Sequence, residues 1–391
     1  MGIKISNILL IVGNLSTPGG VSVFWNSMLN AFKKSDEFHF KTIEIGGHGK
    51  NILGPLYDQW KIHKELSSNN QTQLAIINPS LLNRSFFRDG LFAKQLSKKG
   101  LPFIVFFHGW DLEFEAKVTL KYSNFFLKSF GQAKKIFVLS EEFKEKIVEW
   151  GYKGEVVVIT TTVDANLVKN FSQEERVQRY RNNTTIKILF LSRIVKEKGV
   201  FELIEAFEQI NKKIKHIKLN FLQNSLESET LVPNKARLKP SVPSFTRCLL
   251  TIAGDGEAFE ELKSRVEGKE SIELKGYVEG EKKIAILSDA DLYILPSYTE
   301  GLPISVLEAM LFGLPVITTK VGGLKRFFQE SKMGYFIEPK SSKSIEDAIL
   351  KILKNRTILE DTSHFNYQYT QKYLTNNVVA QNLSKHLKEL I

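Results

Sequence analysis

Leu292-Tyr293-Ile294-Leu295-Pro296-Ser297-Tyr298-Thr299-Glu300-Gly301-Leu302-Pro303-Ile304-Ser305-Val306-Leu307-Glu308-Ala309-Met310-Leu311-Phe312-Gly313-Leu314 is the stretch from which the fold can be read. Leu292–Pro296 is a short apolar run of the kind that forms a buried parallel strand. Pro303 stands where a helix would begin, since its missing N–H costs nothing at the first helical position. Ile304, Val306, Leu307, Met310 and Leu311 recur at helical spacing, Gly313 and Pro315 end the helix, and Val316-Ile317-Thr318 opens another strand. A strand, a glycine turn and a helix N-terminus present unpaired N–H groups and the positive end of a helix dipole, which together suit an anion. Glu300 stands in the turn and Glu308 further along the helix. Carboxylates beside an anion site fit a ligand that also carries hydroxyls, because they accept hydrogen bonds from them. A phosphate joined to sugars has that chemistry. A surface turn followed by a helix with one solvated glutamate has the same outline.

Two glutamates separated by seven residues, set in Pro296-Ser297-Tyr298-Thr299-Glu300-Gly301 and running on to Glu308-Ala309-Met310, resemble the signature of family-4 retaining glycosyltransferases. The resemblance implies the GT-B fold, an α/β architecture of two Rossmann-like domains facing each other across a cleft. It implies that Glu300 binds the donor-sugar hydroxyls and Glu308 the ribose, with the backbone of Gly301, Leu302 and Pro303 beside the diphosphate.

The chain has 391 residues, enough for two domains with a sizeable core each. A hydrophobic share of 42% and a charged share of 25% are those of an ordinary globular protein. The net charge of +11 favours anionic partners: nucleotides, phospholipid headgroups, pyrophosphate-linked acceptors or nucleic acid. No recognition motif or base-stacking array supports nucleic acid, so none is expected as a partner. With Cys248 as the only cysteine no intrachain disulfide can form, which fits a reducing cytoplasm. Ile8–Val12 is too short for a signal peptide, and no apolar run reaches the ~20 residues that span a bilayer. The expected location is therefore the cytoplasm, extending to the inner face of the plasma membrane, with any membrane contact peripheral.

Apolar runs at Ile5–Val12, Phe38–Ile45, Leu74–Ile77, Phe103–Phe107, Lys135–Leu139 and Val156–Ile159 read as strands. Helical patterns from Val21 to Phe32 and over Leu56–Leu66, Phe86–Leu96 and Glu141–Trp150 lie between them. That alternation implies a mostly parallel sheet with ligands at the carboxyl ends of the strands. The first strand ends in a loop containing Gly19 and Gly20, which lacks the spacing of a dinucleotide fingerprint and the lysine of a P-loop. Paired glycines serve a plain turn equally; the resemblance puts Gly19 and Gly20 beside the diphosphate and acceptor. The strand Phe103–Phe107 delivers His108-Gly109-Trp110-Asp111. The resemblance places His108 near the reaction centre, bonded to the donor sugar; the residues alone also allow a turn histidine bonded to backbone. Asp111 orients the loop or a substrate.

Arg84–Lys99 and Lys117–Phe130 mix phenylalanines with cations. Two readings stand: an anionic membrane surface, or core aromatics with a solvated lysine face. Arg181–Thr185 reads as a linker, dividing residues 1–180 from 181–375. The helix Asn376–Leu390 crosses back to the first domain in a GT-B chain. The second domain opens on the strand Ile186–Leu191, then Arg193 and Lys198 before a helix from Val200. Cations at that point suit a diphosphate, at roughly 1.5–3 kcal/mol per charge-assisted bond against ~0.3–2 for a helix dipole; the resemblance names the same two positions. Phe221–Thr246, with Pro233, Pro240 and Pro243, reads as an inserted loop. Gly276-Tyr277-Val278 resembles the tripeptide whose backbone meets the nucleobase. Asp289-Ala290-Asp291 spells a metal motif, yet it precedes a strand whose entrance Asp291 would anchor. No cofactor and no metal is expected, cations and a helix terminus taking their place.

The sequence thus points to a sugar transfer from a nucleotide-sugar donor, a UDP-sugar ahead of GDP-mannose, to a glycan or lipid-linked acceptor. Arg193, Lys198, Glu300 and His108 are the catalytic candidates. A nucleotide-sugar epimerase of the same fold, an inactive homologue and a non-catalytic anion-binding protein are the alternatives.

Overall fold

The apolar runs become the strands of two parallel sheets in the computed structural model, which describes residues 6–17, 19–35, 37–47, 53–68, 71–229 and 245–391. The chain divides into two compact units, with boundaries after Asp164 and after Lys372. In the first, β1 (Ser6–Gly13), β2 (Phe38–Ile45), β3 (Leu74–Ile77), β4 (Ser80–Leu81), β5 (Phe103–Phe107), β6 (Gly109–Trp110), β7 (Lys135–Val138) and β8 (Glu155–Val158) follow one another with helices between. Six of them form a sheet in the order β2-β1-β3-β5-β7-β8, while β4 pairs with β6. Every pairing is parallel. The strands read as unbroken apolar runs because both faces are covered. Leu9, Ile11, Ala75, Ile77, Val105 and Phe107 enter one core cluster. Their neighbours Ile8, Leu10, Leu74, Ile76, Ile104 and Phe106 enter the other. The helix Asn376–Lys388 completes the second cluster with Val379, Ala380, Leu383 and Leu387.

The second unit holds β9 (Thr185–Leu191), β10 (Arg247–Ala253), β11 (Ile272–Gly276), β12 (Leu292–Leu295), β13 (Val316–Thr319) and β14 (Gly334–Ile337). They pair in the order β11-β10-β9-β12-β13-β14, again all parallel. The winding direction reverses between β9 and β12, and in the first unit between β1 and β3. Loops leaving those strands at their carboxyl ends open the crevice where ligands of such sheets bind.

Three sequence readings change here, and a fourth is decided between its two alternatives. Residues 173–182 are a helix rather than the approach to a linker. Buried Arg176 donates to the carbonyls of Leu287, Ser288 and Ala290, and Tyr180 Oη to that of Asp291 at 3.0 Å. A division at residue 180 would part this helix from the groups it satisfies; its polar composition hid that its cations cap the end of the helix Gly280–Asp289. The helix begun at Val200 continues to Glu229, so no loop starts at Phe221; residues 230–244 of that expected insertion lie outside the described residues. Pro303 is the capping residue, in an extended conformation, with Ile304 the first helical residue. Of the two readings of Arg84–Lys99 and Lys117–Phe130, the aromatics prove to be core: Phe86, Phe92, Phe126 and Phe130 are fully buried, while most of the cations, with Leu91 and Leu120, face water.

Candidate functional site

Each unit carries its own half-site at the carboxyl edge of its sheet. In the second unit the loop after β9 is fastened to its neighbours by backbone bonds. Ser192 N donates to Ala253 O at 3.1 Å, Ile194 N to Asp255 O at 2.9 Å and Tyr298 N to Glu197 O at 2.8 Å. Gly199 closes this loop at φ +69°, where a Cβ would stand 2.2 Å from the Pro296 carbonyl oxygen. Only glycine permits that approach and that φ.

This fastening brings Lys198 Nζ to 2.5 Å from Glu300 Oε1, both side chains only 11% exposed. Arg193, one loop residue past Ser192, is exposed and makes no hydrogen bond or ion pair among the described residues. Lys198 and Glu300 neutralise each other as they stand. Chemically, the pair can offer an ammonium to a phosphate and a carboxylate to hydroxyls. Gly301 is exposed, while Leu302 and Pro303 are buried beneath it. The turn Val321-Gly322-Gly323 braces Glu300 and Gly301 from the neighbouring strand. Gly323 N donates to Gly301 O at 2.6 Å, and a Cβ on Gly322, at φ +51°, would meet Glu300 O at 1.8 Å.

Glu308 is buried and paired with Lys283 Nζ at 2.6 Å. Below the turn, the Tyr293 hydroxyl lies 2.8 Å from Ser305 Oγ and 3.0 Å from Leu191 O, tying the start of the helix Ile304–Leu311 to the end of β9. Burial raises this phenol well above its usual range; the Ser305 bond opposes the shift, and the charges of Glu300 and Glu308 add to it. Gly276, at φ +67°, accepts from Gly254 N at 2.8 Å. Tyr277 is exposed and donates to Glu279 at 3.1 Å, whereas Val278 is buried. Arg193, Lys198, Glu300, Gly301 and Glu308 thus lie on the two elements that flank the switch point of one sheet.

In the first unit Gly19 and Gly20 are exposed at the start of the helix Gly20–Lys33. The loop is held by that helix: Ser22 Oγ donates to Thr17 O at 2.6 Å and Asn26 Nδ2 to Leu15 O at 3.0 Å. His108 follows β5, its ring 4.7 Å from those of both Phe24 and Phe106. Burial lowers its pKa to about 3, so the imidazole is neutral at physiological pH. Its Nδ1 is buried and has no hydrogen-bond partner among the described residues. Asp111 caps the helix Leu112–Lys117, Oδ1 accepting from Phe114 N at 2.7 Å.

Sequence reasoning missed three residues. Asn78 ends β3 at the switch point, accepts from Trp25 Nε1 at 2.7 Å and keeps a buried, unpaired Nδ2; a polar residue directly after an apolar strand was the available signal. Lys283 and Gly322 carried none, because each acts through a long-range contact. Asp291 anchors the strand entrance as expected, accepting from Arg179 Nε at 3.0 Å and Lys187 N at 2.9 Å. Burial raises its pKa, which Arg179 and the Lys187 N–H oppose. Among the described residues no group of three or more His, Cys, Asp and Glu is arranged to hold a metal ion. None of the described helices is long and apolar enough to cross a membrane.

Residues 171–372 match the family model described as glycosyl transferases group 1. TuaC of Bacillus subtilis (strain 168), named as a teichuronic acid biosynthesis glycosyltransferase, is 26% identical over 257 residues, 64% of this chain and 55% of that one. CapM of Staphylococcus aureus, a capsular polysaccharide biosynthesis glycosyltransferase, is 23% identical over 260 residues, 63% of this chain and 60% of that one. The chain therefore spans little more than half the length of these relatives. Among solved structures, sucrose-phosphate synthase from Thermosynechococcus elongatus superposes with a TM-score of 0.71 at 16% identity, covering 98% of this chain and 99% of that one. Anabaena HepE in complex with UDP-glucose does so at 0.66, also at 16% identity, with coverage of 98% and 99%. At such identities the likeness is one of fold, and the two Rossmann-like units are those of the GT-B class.

Proposed function

This chain belongs to the glycosyl transferases group 1 family, and from that premise we propose that it moves a hexose from a nucleotide sugar to a glycan or lipid-linked acceptor. The setting is cell-envelope or exopolysaccharide biosynthesis, in the cytoplasm. The donor is a UDP-sugar ahead of GDP-mannose, and the transfer retains configuration, as in family 4. The names of TuaC and CapM support the setting, and the ligand in the HepE title supports the choice of uridine.

One observation carries the reading: Lys198 and Glu300, 102 residues apart, meet at 2.5 Å at the switch point of the second sheet. Arg193 and Lys198 hold the donor diphosphate together with the backbone that follows Gly301. Glu300 accepts from the sugar hydroxyls, Glu308 from the ribose, and Gly276–Val278 presents backbone to the base. The first unit takes the acceptor near Gly20, with neutral His108 bonding the transferred sugar. As the glycosidic bond breaks, negative charge builds on the departing phosphate. Fixed cations stabilise that charge more than the ground state, and the rate gain comes from this difference. Attack on the face the diphosphate leaves, with the phosphate as base, gives retention without a carboxylate nucleophile and without a metal.

Arg193→Ala and Lys198→Ala each lower kcat by orders of magnitude in an assay with a UDP-sugar and a polyprenyl-linked acceptor. Turnover near that of the unmodified protein would overturn the assignment. Donor alone gives at most slow hydrolysis; release of an isomerised sugar would make the protein an epimerase.

A further inference from the structure

The helix Gly54–Ser68 has two apolar faces where a surface helix needs one. Ile62 and Asp58 face the unit, Asp58 accepting from Gly46 N at 2.9 Å. Leu56, Tyr57 and Trp60, spaced at i, i+1 and i+4, form a second stripe and are 66%, 49% and 53% exposed. Leu53 adjoins it on the amino-terminal side, and Leu91 is exposed on the adjacent helix Asn83–Lys98. The two helices are joined by Gln59 Nε2 donating to Arg88 O at 3.1 Å.

Charge decides what covers this stripe. Tyr57 and Trp60 are stacked at 5.8 Å, with Lys61 Nζ 5.1 Å from the first ring and Lys64 Nζ 5.2 Å from the second. Arg84, Lys98 and Lys99 are exposed on or just past the neighbouring helix. The acids of the two helices are Asp58, Glu65 and Asp89. Asp58 and Asp89 are buried, and Glu65 is bound to Lys41 at 2.7 Å. Two copies meeting across this face would bring like charges together with no exposed acid of these helices to answer them. A surface of anionic headgroups over hydrocarbon answers both parts: aromatic rings sit at the headgroup level, apolar side chains reach below it, and the lysines meet phosphate.

We infer that the face of helix Gly54–Ser68 bearing Leu56, Tyr57, Trp60, Lys61 and Lys64 docks this protein on an anionic lipid bilayer. The contact is peripheral and centres on a helix outside both basic-aromatic segments that the sequence offered for it, with Arg84, Leu91, Lys98 and Lys99 of the first segment beside it.

The test is flotation of the full chain with vesicles of phosphatidylglycerol in phosphatidylcholine and with vesicles of phosphatidylcholine alone. The unmodified protein floats with the anionic vesicles, and high salt weakens the binding. Leu56→Asp with Trp60→Asp, and separately Lys61→Glu with Lys64→Glu, each reduce it roughly tenfold or more, since each removes one of its two components. Thermal midpoint and acceptor-free donor hydrolysis stay unchanged in both variants, which separates this result from any failure of the sugar-transfer reading. Failure of the unmodified protein to bind anionic vesicles overturns the inference. So does binding by the variants equal to the unmodified protein, or a dimer in light scattering that the Leu56→Asp/Trp60→Asp pair dissociates.

Discussion

At the scale of single residues, Glu308 is set by an ion-pair partner and His108 by burial alone. Lys283 pairs with Glu308 at 2.6 Å, so it sets where that carboxylate points. Lys283→Met raises the KM for the donor roughly tenfold, about 1.4 kcal/mol, with kcat little changed, and Lys283→Arg recovers most of the loss. Initial-rate kinetics on the purified variants measure the split. His108 gives a pH prediction. Its pKa falls from 6.5 in the unfolded chain to about 3 in the fold. Between those values the unfolded state binds more protons, so its contribution to stability is present above pH 6.5 and lost as pH falls towards 3. His108→Phe flattens that part of the thermal-midpoint profile, as differential scanning fluorimetry over this window would register.

At the scale of elements, the half-site in the second unit depends on turns that press against one another. Gly322 sits in the left-handed region with Glu300 O in the place a Cβ would take. Gly322→Ala therefore displaces the Glu300 turn and costs roughly 2 kcal/mol or more from conformation and clash together. Urea denaturation measures the loss, and calorimetry with UDP finds donor binding weakened more than the fold. Arg176→Leu strands the Leu287 carbonyl at the end of the helix Gly280–Asp289 and leaves those of Ser288 and Ala290 to Arg179 alone. With about 1–3 kcal/mol at stake per stranded group, its thermal midpoint falls even though no ligand contact is touched.

At the scale of the molecule, each unit owns a complete sheet, but only one owns an unbroken stretch of chain. Residues 165–372 hold their own six strands. Expressed alone, they fold cooperatively and retain nucleotide binding, seen as a thermal shift with UDP. The first unit borrows its last helix from the far end of the chain. Deleting 376–391 strips Val379, Leu383 and Leu387 from its core, each worth roughly 1.5–3 kcal/mol, and yields an insoluble or molten product by circular dichroism.

The sequence by itself determined the α/β alternation and most of the strands, and it offered Arg193, Lys198, Glu300 and Glu308 as candidates. Those features are local: apolar runs, helical spacing, and a turn whose residues act within a few positions of one another. Only the tertiary structure decided that the helix carrying Arg176 and Tyr180 belongs to the second unit, that Lys283 pairs with Glu308, and that Gly322 supports Glu300. It also decided that the phenylalanines of residues 84–130 are core while Leu56, Tyr57 and Trp60 face outward. A residue pattern records which side chains share a face of their own element; which face meets a neighbour depends on packing between elements far apart in the chain, and on that packing the sequence is silent.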